Sequence, residues 1–169
     1  MRGYQCTMQT DTEVLAYAAD LLMRRHGLSA EMAAHVLASP LWSEIETLPA
    51  EEQVIYRAVR QTYGHLLMNG PFTIILARNG EMVALGDRIR LRPLVAGIRG
   101  TMLYASCERS SLYLVDPDIE ATWLPEGGEP VIGRLGQTPK PGGTLRLETG
   151  YAEAGYTPPA AVSGEVTHV

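Results

Sequence analysis

The apolar positions of the first 67 residues recur at the spacing of α-helices. The first predicted helix carries an apolar stripe made of Val14, Leu15, Ala18, Leu21 and Leu22. Thr10 and Glu13 have the spacing of a capping box, in which Thr10 is the N-cap and Glu13 reaches back to it. The cations of residues 24–26 suit the negative end of this helix, and Gly27 can end it.

Further helical segments are predicted before the pattern changes. Ser29 can cap a second helix, which Pro40 stops. A short helical turn is predicted at residues 41–45. Pro49 fits the first turn of a longer helix, whose apolar period continues to about residue 67. Asn69-Gly70-Pro71 then breaks the period.

Short apolar and β-branched runs follow and predict strands. Residues 72–77 and 81–85 flank Asn79-Gly80, which is a strong hairpin signal. Further strands are predicted at 94–96, 102–105, 122–124 and 130–135, with a short helix at 108–112. The last two strands are predicted to pair across Glu126-Gly127-Gly128. Helices followed by antiparallel strands place the chain in the α+β class, with one sheet that faces helices on one side only.

The composition changes near residue 136. Residues 136–169 are rich in Gly, Pro, Thr and Ala, and only 144–147 has the pattern of a strand. We therefore expect residues 1–135 to form the folded domain and 136–169 to be a loosely ordered tail.

Charge and cysteine content narrow the function classes. The 169 residues carry a formal net charge of −5 and show no basic stripe, which argues against nucleic acid as a partner. No apolar run approaches the roughly 20 residues of a membrane span, and the first residues lack the apolar core of a signal peptide. The two cysteines have no metal-ligand spacing with the four histidines, so no metal or cofactor is expected. A reduced, cytoplasmic setting is the prediction.

Two stretches together carry a family resemblance. The first is residues 3–14, which contain Thr10-Asp11-Thr12-Glu13. The second runs from Asn69-Gly70-Pro71-Phe72, through Asp87-Arg88 and Arg92-Pro93-Leu94, to Tyr104-Ala105-Ser106. Their order and spacing resemble the C-terminal part of class II glutamine amidotransferase domains, of the kind found as glutamate synthase or N-methylglutamate synthase amidotransferase subunits. The resemblance covers roughly residues 3 to 135.

The resemblance implies a partial Ntn-hydrolase-type αββα sandwich and a role in glutamine hydrolysis. In this family an amino-terminal cysteine attacks the glutamine amide, and ammonia passes to a synthase partner. The present sequence matches only the part that follows the nucleophile, the carboxylate-binding arginine and the oxyanion hole. Cys6 has no adjacent free α-amino group to act as base, so we predict no catalytic residue in this chain.

Asp11 is the substrate-binding candidate. The resemblance implies that Asp11 accepts hydrogen bonds from the α-ammonium group of glutamine, and a fixed carboxylate is a strong acceptor for such a group. From spacing alone, Asp11 is more simply an acidic residue that favours the start of a helix. Asn69-Gly70 is not interpreted as an oxyanion motif, because it directly precedes Pro71 at the beginning of a strand.

Structural roles are predicted for the other conspicuous side chains. Asp87 is expected to hold a turn, with Arg88 and Arg92 each pairing with a carboxylate or backbone carbonyl rather than forming an anion site. Cys107 is predicted to be a buried, inert thiol, since no histidine lies near it in the sequence. Glu13 is interpreted as a capping residue rather than a ligand.

Three hypotheses follow for the whole protein. The first is an amidotransferase subunit that needs a synthase subunit, a chain carrying the missing N-terminal half, or both. The second is a non-catalytic regulatory or interaction module of such a complex, able to bind glutamine or glutamate. The third is a truncated reading frame that begins at an internal Met1. In each case we expect an exposed apolar sheet face where the missing strands would pack.

Overall fold

Helices come first along the chain, and two antiparallel sheets follow, in the computed structural model, which describes residues 3–141. The helices of the first half are α1 Asp11–Asp20, α2 Ala30–Leu37, α3 Trp42–Ile45 and α4 Ala50–Tyr63. A π-helical turn, Leu21–Arg25, extends α1, and a 3-10 turn, Gly64–Leu66, extends α4. The mixed α/β architecture, with helices first, agrees with the predicted α+β class. The predicted tail strand at 144–147 lies outside the described residues.

The N-caps predicted at Thr10 and Ser29 are confirmed. The Thr10 hydroxyl accepts a hydrogen bond from the Glu13 backbone N–H at 3.2 Å, and the Ser29 hydroxyl accepts one from Met32 at 3.2 Å. Gly27, at a φ of +69°, ends the first helical segment as predicted. Pro49 is the residue that precedes α4, one position earlier than expected.

Six strands form two sheets of three. The strands are β1 Thr73–Arg78, β2 Glu81–Gly86, β3 Val95–Arg99, β4 Met102–Ser106, β5 Ala121–Trp123 and β6 Pro130–Arg134. The first sheet, called sheet A, has the order β1-β2-β6, and the second, called sheet B, has the order β4-β3-β5. The hairpin predicted at Asn79-Gly80 is confirmed, since Arg78 pairs with Glu81. Helix α5, Arg109–Val115, follows β4.

The predicted pairing of the last two strands is wrong. Trp123 of β5 pairs with Ala96 of β3, whereas Val131 of β6 pairs with Ala84 of β2. The glycine-containing connection therefore crosses from sheet B to sheet A instead of closing a hairpin. Trp123 and Val131 both bury their side chains in the space between the sheets, which explains why each strand joins a different sheet.

The two sheets pack face to face through β2 and β6 of sheet A and β3 and β5 of sheet B. The inner core contains Ala84, Leu94, Ala96, Trp123 and Val131. Alternate residues of the same strands point outward: Leu85 packs against helices α1 and α2, and Val95 packs against Leu112 of α5. The layers are thus helices, sheet A, sheet B and α5, so two sheets are present where the apolar pattern alone predicted one. Gly133 permits close contact, because a Cβ there would lie 2.9 Å from Leu103 Cδ2.

Candidate functional site

Asp11 lies at the edge of a groove of about 460 Å³ between α1 and the segment that leads into β1. Helix α1 contributes Asp11, Val14, Leu15 and Ala18, and Leu37 of α2 lies beside them. Residues 65–69 and 71–72 form the opposite wall. Apart from Asp11, His65 and Asn69, the lining side chains are apolar. The groove therefore combines an apolar surface with a few polar groups, which is the usual make-up of a small-molecule site.

The Asp11 carboxylate is exposed, and a hydrogen bond from the next residue orients it. Its Oδ1 accepts a hydrogen bond from the Thr12 backbone N–H at 2.8 Å. The Thr10 cap places Asp11 in the first turn of α1, where backbone N–H groups favour negative charge. Both the helix-start role and the substrate-binding role predicted for Asp11 are compatible with this position, because the carboxylate stays accessible from the groove.

Glu13 anchors the loop that precedes Asp11. The predicted capping box is only half correct: Glu13 does not reach back to Thr10 but accepts hydrogen bonds from the backbone N–H groups of Thr7 and Met8, each at 2.8 Å. The Tyr17 hydroxyl donates a further hydrogen bond to Glu13 at 3.1 Å. The carboxylate stays close to the loop because Thr7 and Met8 fold over α1, which leaves Glu13 8% exposed.

These donors also set the ionisation of Glu13. The hydrogen bond from Thr7 contributes most to a pKa below the ordinary value, burial opposes it, and donors from Met8 and Tyr17 lower it further. Glu13 is thus held as a carboxylate that binds the loop, which is a structural role different from the predicted cap.

The same loop is held at its beginning by a second group of contacts. The Tyr4 hydroxyl donates to the Asp20 carboxylate, and the Tyr4 ring stacks 4.8 Å from the ring of Tyr17. The guanidinium of Arg25 lies 4.3 Å from the centre of the Tyr4 ring. Residues 4–8 are therefore tied to α1 at both ends, and Cys6 between them is exposed.

Asp87 organises the opposite wall of the groove. Its carboxylate accepts four backbone hydrogen bonds, at 2.9 Å from Leu91 and Arg92 and at 3.2–3.3 Å from Ile89 and Phe72. Burial raises the pKa of Asp87, but the four N–H donors outweigh that effect and hold the pKa below its ordinary value. The predicted turn-holding role is confirmed, and the bond to Phe72 extends it to the groove.

The two arginines of this turn behave differently from the prediction. Within residues 3–141, Arg88 pairs with neither a carboxylate nor a backbone carbonyl but donates to the side-chain amide oxygen of Asn69 at 3.0 Å. Since Asn69 lines the groove, the turn orients an amide that faces the same space as Asp11. The guanidinium of Arg92 makes no hydrogen bond or ion pair with residues 3–141, although its backbone N–H binds Asp87.

Asn69 was not identified as a site residue from the sequence. Asn69-Gly70-Pro71 breaks the helical pattern, and that feature alone indicates a turn. From the sequence, residues 3–14 and 69–106 were identified only as stretches that resemble one family, and no contact between them was predicted. Proximity between Asp11 and Asn69 depends on the packing of α1 against the segment before β1, which no local pattern encodes.

Cys107 is exposed, so the predicted buried thiol is wrong. It lies in the connection between β4 and α5. There the backbone N–H of Glu108 donates a hydrogen bond to the Ser106 hydroxyl at 3.3 Å. The histidines that were excluded as ligands have neighbours of their own, since His35 lies 3.2 Å from the Tyr56 hydroxyl and His26 lies 3.1 Å from that of Tyr63. Among residues 3–141, no cluster of three or more His, Cys, Asp or Glu side chains could hold a metal ion.

Comparison with known proteins adds one long relative. No family model matches the chain. A protein of Archaeoglobus fulgidus, named simply "Uncharacterized protein", is 50% identical over 135 residues. The match covers 80% of this chain but 36% of that protein, so the chain spans about a third of the length of this relative. Within the part of the chain that the structure describes, no helix has both the length and the apolar character needed to cross a membrane.

Proposed function

We propose that this chain is the supporting, C-terminal part of a class II glutamine amidotransferase-type domain that serves a glutamate synthase-like partner. In this proposal Asp11 accepts hydrogen bonds from the α-ammonium group of glutamine. The observation that carries the proposal is the position of Asp11: a capped helix start places its exposed carboxylate at the edge of a groove that Asn69 also lines.

The chemistry of the groove supports an amino-acid ligand. A carboxylate is a charge-assisted acceptor for an ammonium group, and an amide such as Asn69 can both donate and accept. The apolar wall, which includes Leu15 and Phe72, suits the methylene groups of a glutamine side chain. Arg88 donates a hydrogen bond to Asn69, and Asp87 accepts one from the backbone of Phe72. Two residues outside the groove thus hold two residues that line it.

The layer order supports the same proposal. Helices, two antiparallel sheets and a further helix are stacked in the order that a partial αββα sandwich of the Ntn-hydrolase type requires. The relative from Archaeoglobus fulgidus extends well beyond the matched region, which leaves length for the front half of such a domain. A cytoplasmic setting remains part of the proposal and rests on the two unpaired cysteines.

Hydrolysis requires a nucleophile from elsewhere. The residues that line the groove include no cysteine, serine or threonine. The proposed enzyme therefore needs a polypeptide that carries the amino-terminal cysteine and its oxyanion hole, and a synthase subunit to receive ammonia. No nucleic acid, membrane or cofactor enters this scheme.

The test measures binding and turnover separately. Calorimetry with glutamine and with glutamate should give binding to the wild-type chain and a large loss of affinity in Asp11→Asn. Glu51→Gln is the matched control, because Glu51 is also a first-turn acidic residue but lies on α4, away from the groove. Ammonia release from glutamine should be absent for the chain alone and should appear when a front-half chain, encoded by a neighbouring gene, is added. Equal affinity of wild type and Asp11→Asn would contradict the role of Asp11.

A second candidate function is a non-catalytic regulatory or interaction module of such a complex. The groove that holds Asp11 but no nucleophile favours it, because that arrangement can bind an amino acid without hydrolysing it. Binding that depends on Asp11, together with no turnover in the presence of any front-half chain, would select this function over the first.

A further inference from the structure

Strand β1 forms an unprotected edge of sheet A. Within residues 3–141 it pairs only with β2, so alternate backbone N–H and C=O groups point away from the sheet. The pairing runs without interruption from Thr73–Gly86 to Arg78–Glu81, so no bulge twists the edge away. Five of the six residues of β1 are uncharged, and none is proline. Its one charged residue, Arg78, is the last of the strand and pairs with Glu81 of β2, so residues 73–77 carry neither charge nor proline.

The other sheet edges are protected in ways that β1 is not. Strand β5 has only three residues, which gives a partner little length for pairing. Strand β6 begins at Pro130 and ends at Arg134, whose guanidinium bonds both Glu31 and Glu81. Strand β4 lies against α5. Among the sheet edges within residues 3–141, β1 is therefore the one that short length, proline and a packed helix leave unprotected.

The inner face of β1 is open as well. Ile75 pairs with Ala84, so both side chains point into the space between the sheets. Ala84 is 0% exposed, whereas Ile75 is 55% exposed. Sheet B therefore covers the middle of sheet A but does not extend under β1. An isoleucine left half-exposed on an inner sheet face, beside a free edge, indicates that the layer is incomplete there.

We propose that a strand from a polypeptide corresponding to the unmatched part of the longer relative pairs with the outer edge of β1, and that the same polypeptide covers Ile75. This inference rests on the proposed function only in identifying that polypeptide with the front half of an amidotransferase. Half of the aligned residues are identical, while 64% of the relative lies outside the match and supplies additional chain.

A second copy of the chain is a poorer occupant. Pairing of β1 with β1 of another copy would extend sheet A alone. It would leave Ile75 of both copies without a layer beneath it, since sheet B ends before β1 in each. A polypeptide that adds strands to both sheets would pair the edge of β1 and also cover Ile75.

Hydrogen exchange tests the edge directly. The amides of β1 would be followed in this chain and in the matching residues of the whole Archaeoglobus fulgidus protein, with β4 as the internal reference. Outward-facing β1 amides should exchange rapidly in this chain and about 100-fold more slowly in the longer protein, because strand pairing protects them, whereas β4 amides should change little. Rapid exchange of the matching strand in the longer protein would overturn the proposal.

Substitution tests the inner face. Ile75→Lys should weaken binding of the front-half chain about tenfold or more, because the lysine would have to be buried unpaired. Ile89→Lys, at a position 54% exposed on the turn after β2, is the control and should change affinity little. Sedimentation of the wild-type chain alone should show a monomer. A dimer disrupted by Ile75→Lys would assign the edge to a second copy instead.

The two proposals can fail independently. A longer protein that protects β1 but releases no ammonia from glutamine would leave the strand pairing intact and contradict the amidotransferase function. A longer protein that hydrolyses glutamine, but whose β1 amides exchange rapidly, would support the amidotransferase function and contradict the strand pairing.

Discussion

The backbone N–H of Thr7 donates to the carboxylate of Glu13 at 2.8 Å and so fastens the loop before α1 to the helix itself. Met8 donates to the same carboxylate, and Tyr17, one turn further along α1, donates to it from the other side. Because the loop leads directly into Thr10 and Asp11, this contact fixes the point at which the helix begins. The substrate-binding candidate is therefore positioned by a residue that does not itself line the groove.

Glu13→Gln should destabilise the loop more than the fold as a whole. The amide keeps one oxygen but loses the charge that strengthens the bonds from Thr7 and Met8, and its NH2 group faces backbone donors. We expect faster hydrogen exchange at residues 7–10 and a midpoint of thermal unfolding lower by a few degrees. Glu51→Gln, an exposed first-turn residue without such bonds, is the control. Unchanged exchange at Thr7 would show that the carboxylate does not hold the loop.

Acid should weaken the fold below about pH 5. Arg24 and Tyr4 lower the pKa of Asp20 to about 2, and the pKa values of Glu13, Asp87 and Asp116 are also below their ordinary values. A carboxyl group whose pKa is lower in the folded than in the unfolded chain contributes stability above the unfolded pKa of about 4. That contribution is lost as the pH falls through the folded pKa.

Urea unfolding at pH 7, 5, 4 and 3 would measure this loss. The free energy of unfolding should change little from pH 7 to pH 5 and fall progressively below pH 4. Asp20→Asn should show a shallower decline than wild type, because one of the groups with a lowered pKa is removed. Parallel pH curves for the two proteins would contradict the role assigned to Asp20.

Asp87→Ala should be strongly destabilising. Asp87 is 1% exposed, and its loss would leave the backbone N–H groups of Leu91, Arg92, Ile89 and Phe72 without their acceptor. The loss of a charged acceptor shared by four backbone N–H groups predicts a loss of about 3 kcal/mol in the free energy of unfolding. Asp118→Ala, which removes a surface ion pair with Arg99, should cost less than about 1 kcal/mol. Chemical denaturation of both variants gives the comparison, and similar losses would contradict the turn-holding role.

The sequence predicts local features of this fold much better than long-range ones. The caps at Thr10 and Ser29 and the hairpin at Asn79-Gly80 were predicted because each depends on residues close in the chain. The partners of β5 and β6 were not, because the choice between sheets depends on where Trp123 and Val131 find a common core. The presence of two sheets instead of one follows from the same long-range packing.

The candidate site divides in the same way. The turn held by Asp87 could be predicted because its donors lie close in the chain, whereas the substrate-binding role of Asp11 comes from the family resemblance and stays a prediction. The hydrogen bond from Arg88 to Asn69 joins residues 19 positions apart, so no local pattern predicts it. Glu13 binds Thr7 instead of Thr10, the partner that its spacing indicates. Exposure of Cys107 was missed because the number of histidines nearby in sequence says nothing about how a loop packs.

Gly128→Ala should destabilise the crossing between the sheets far more than Gly136→Ala. The two glycines have nearly equal positive φ angles, +74° and +76°, so the strain of an L side chain is matched at about 1 kcal/mol. A Cβ at Gly128 would also lie 2.3 Å from the carbonyl oxygen of Ala38, whereas no atom of the described residues lies within 4 Å of one at Gly136. This clash adds a cost of about 1–3 kcal/mol, since the connection and the end of α2 would have to separate. Denaturant unfolding of both variants measures the difference, and equal stability would mean that the connection does not pack against Ala38.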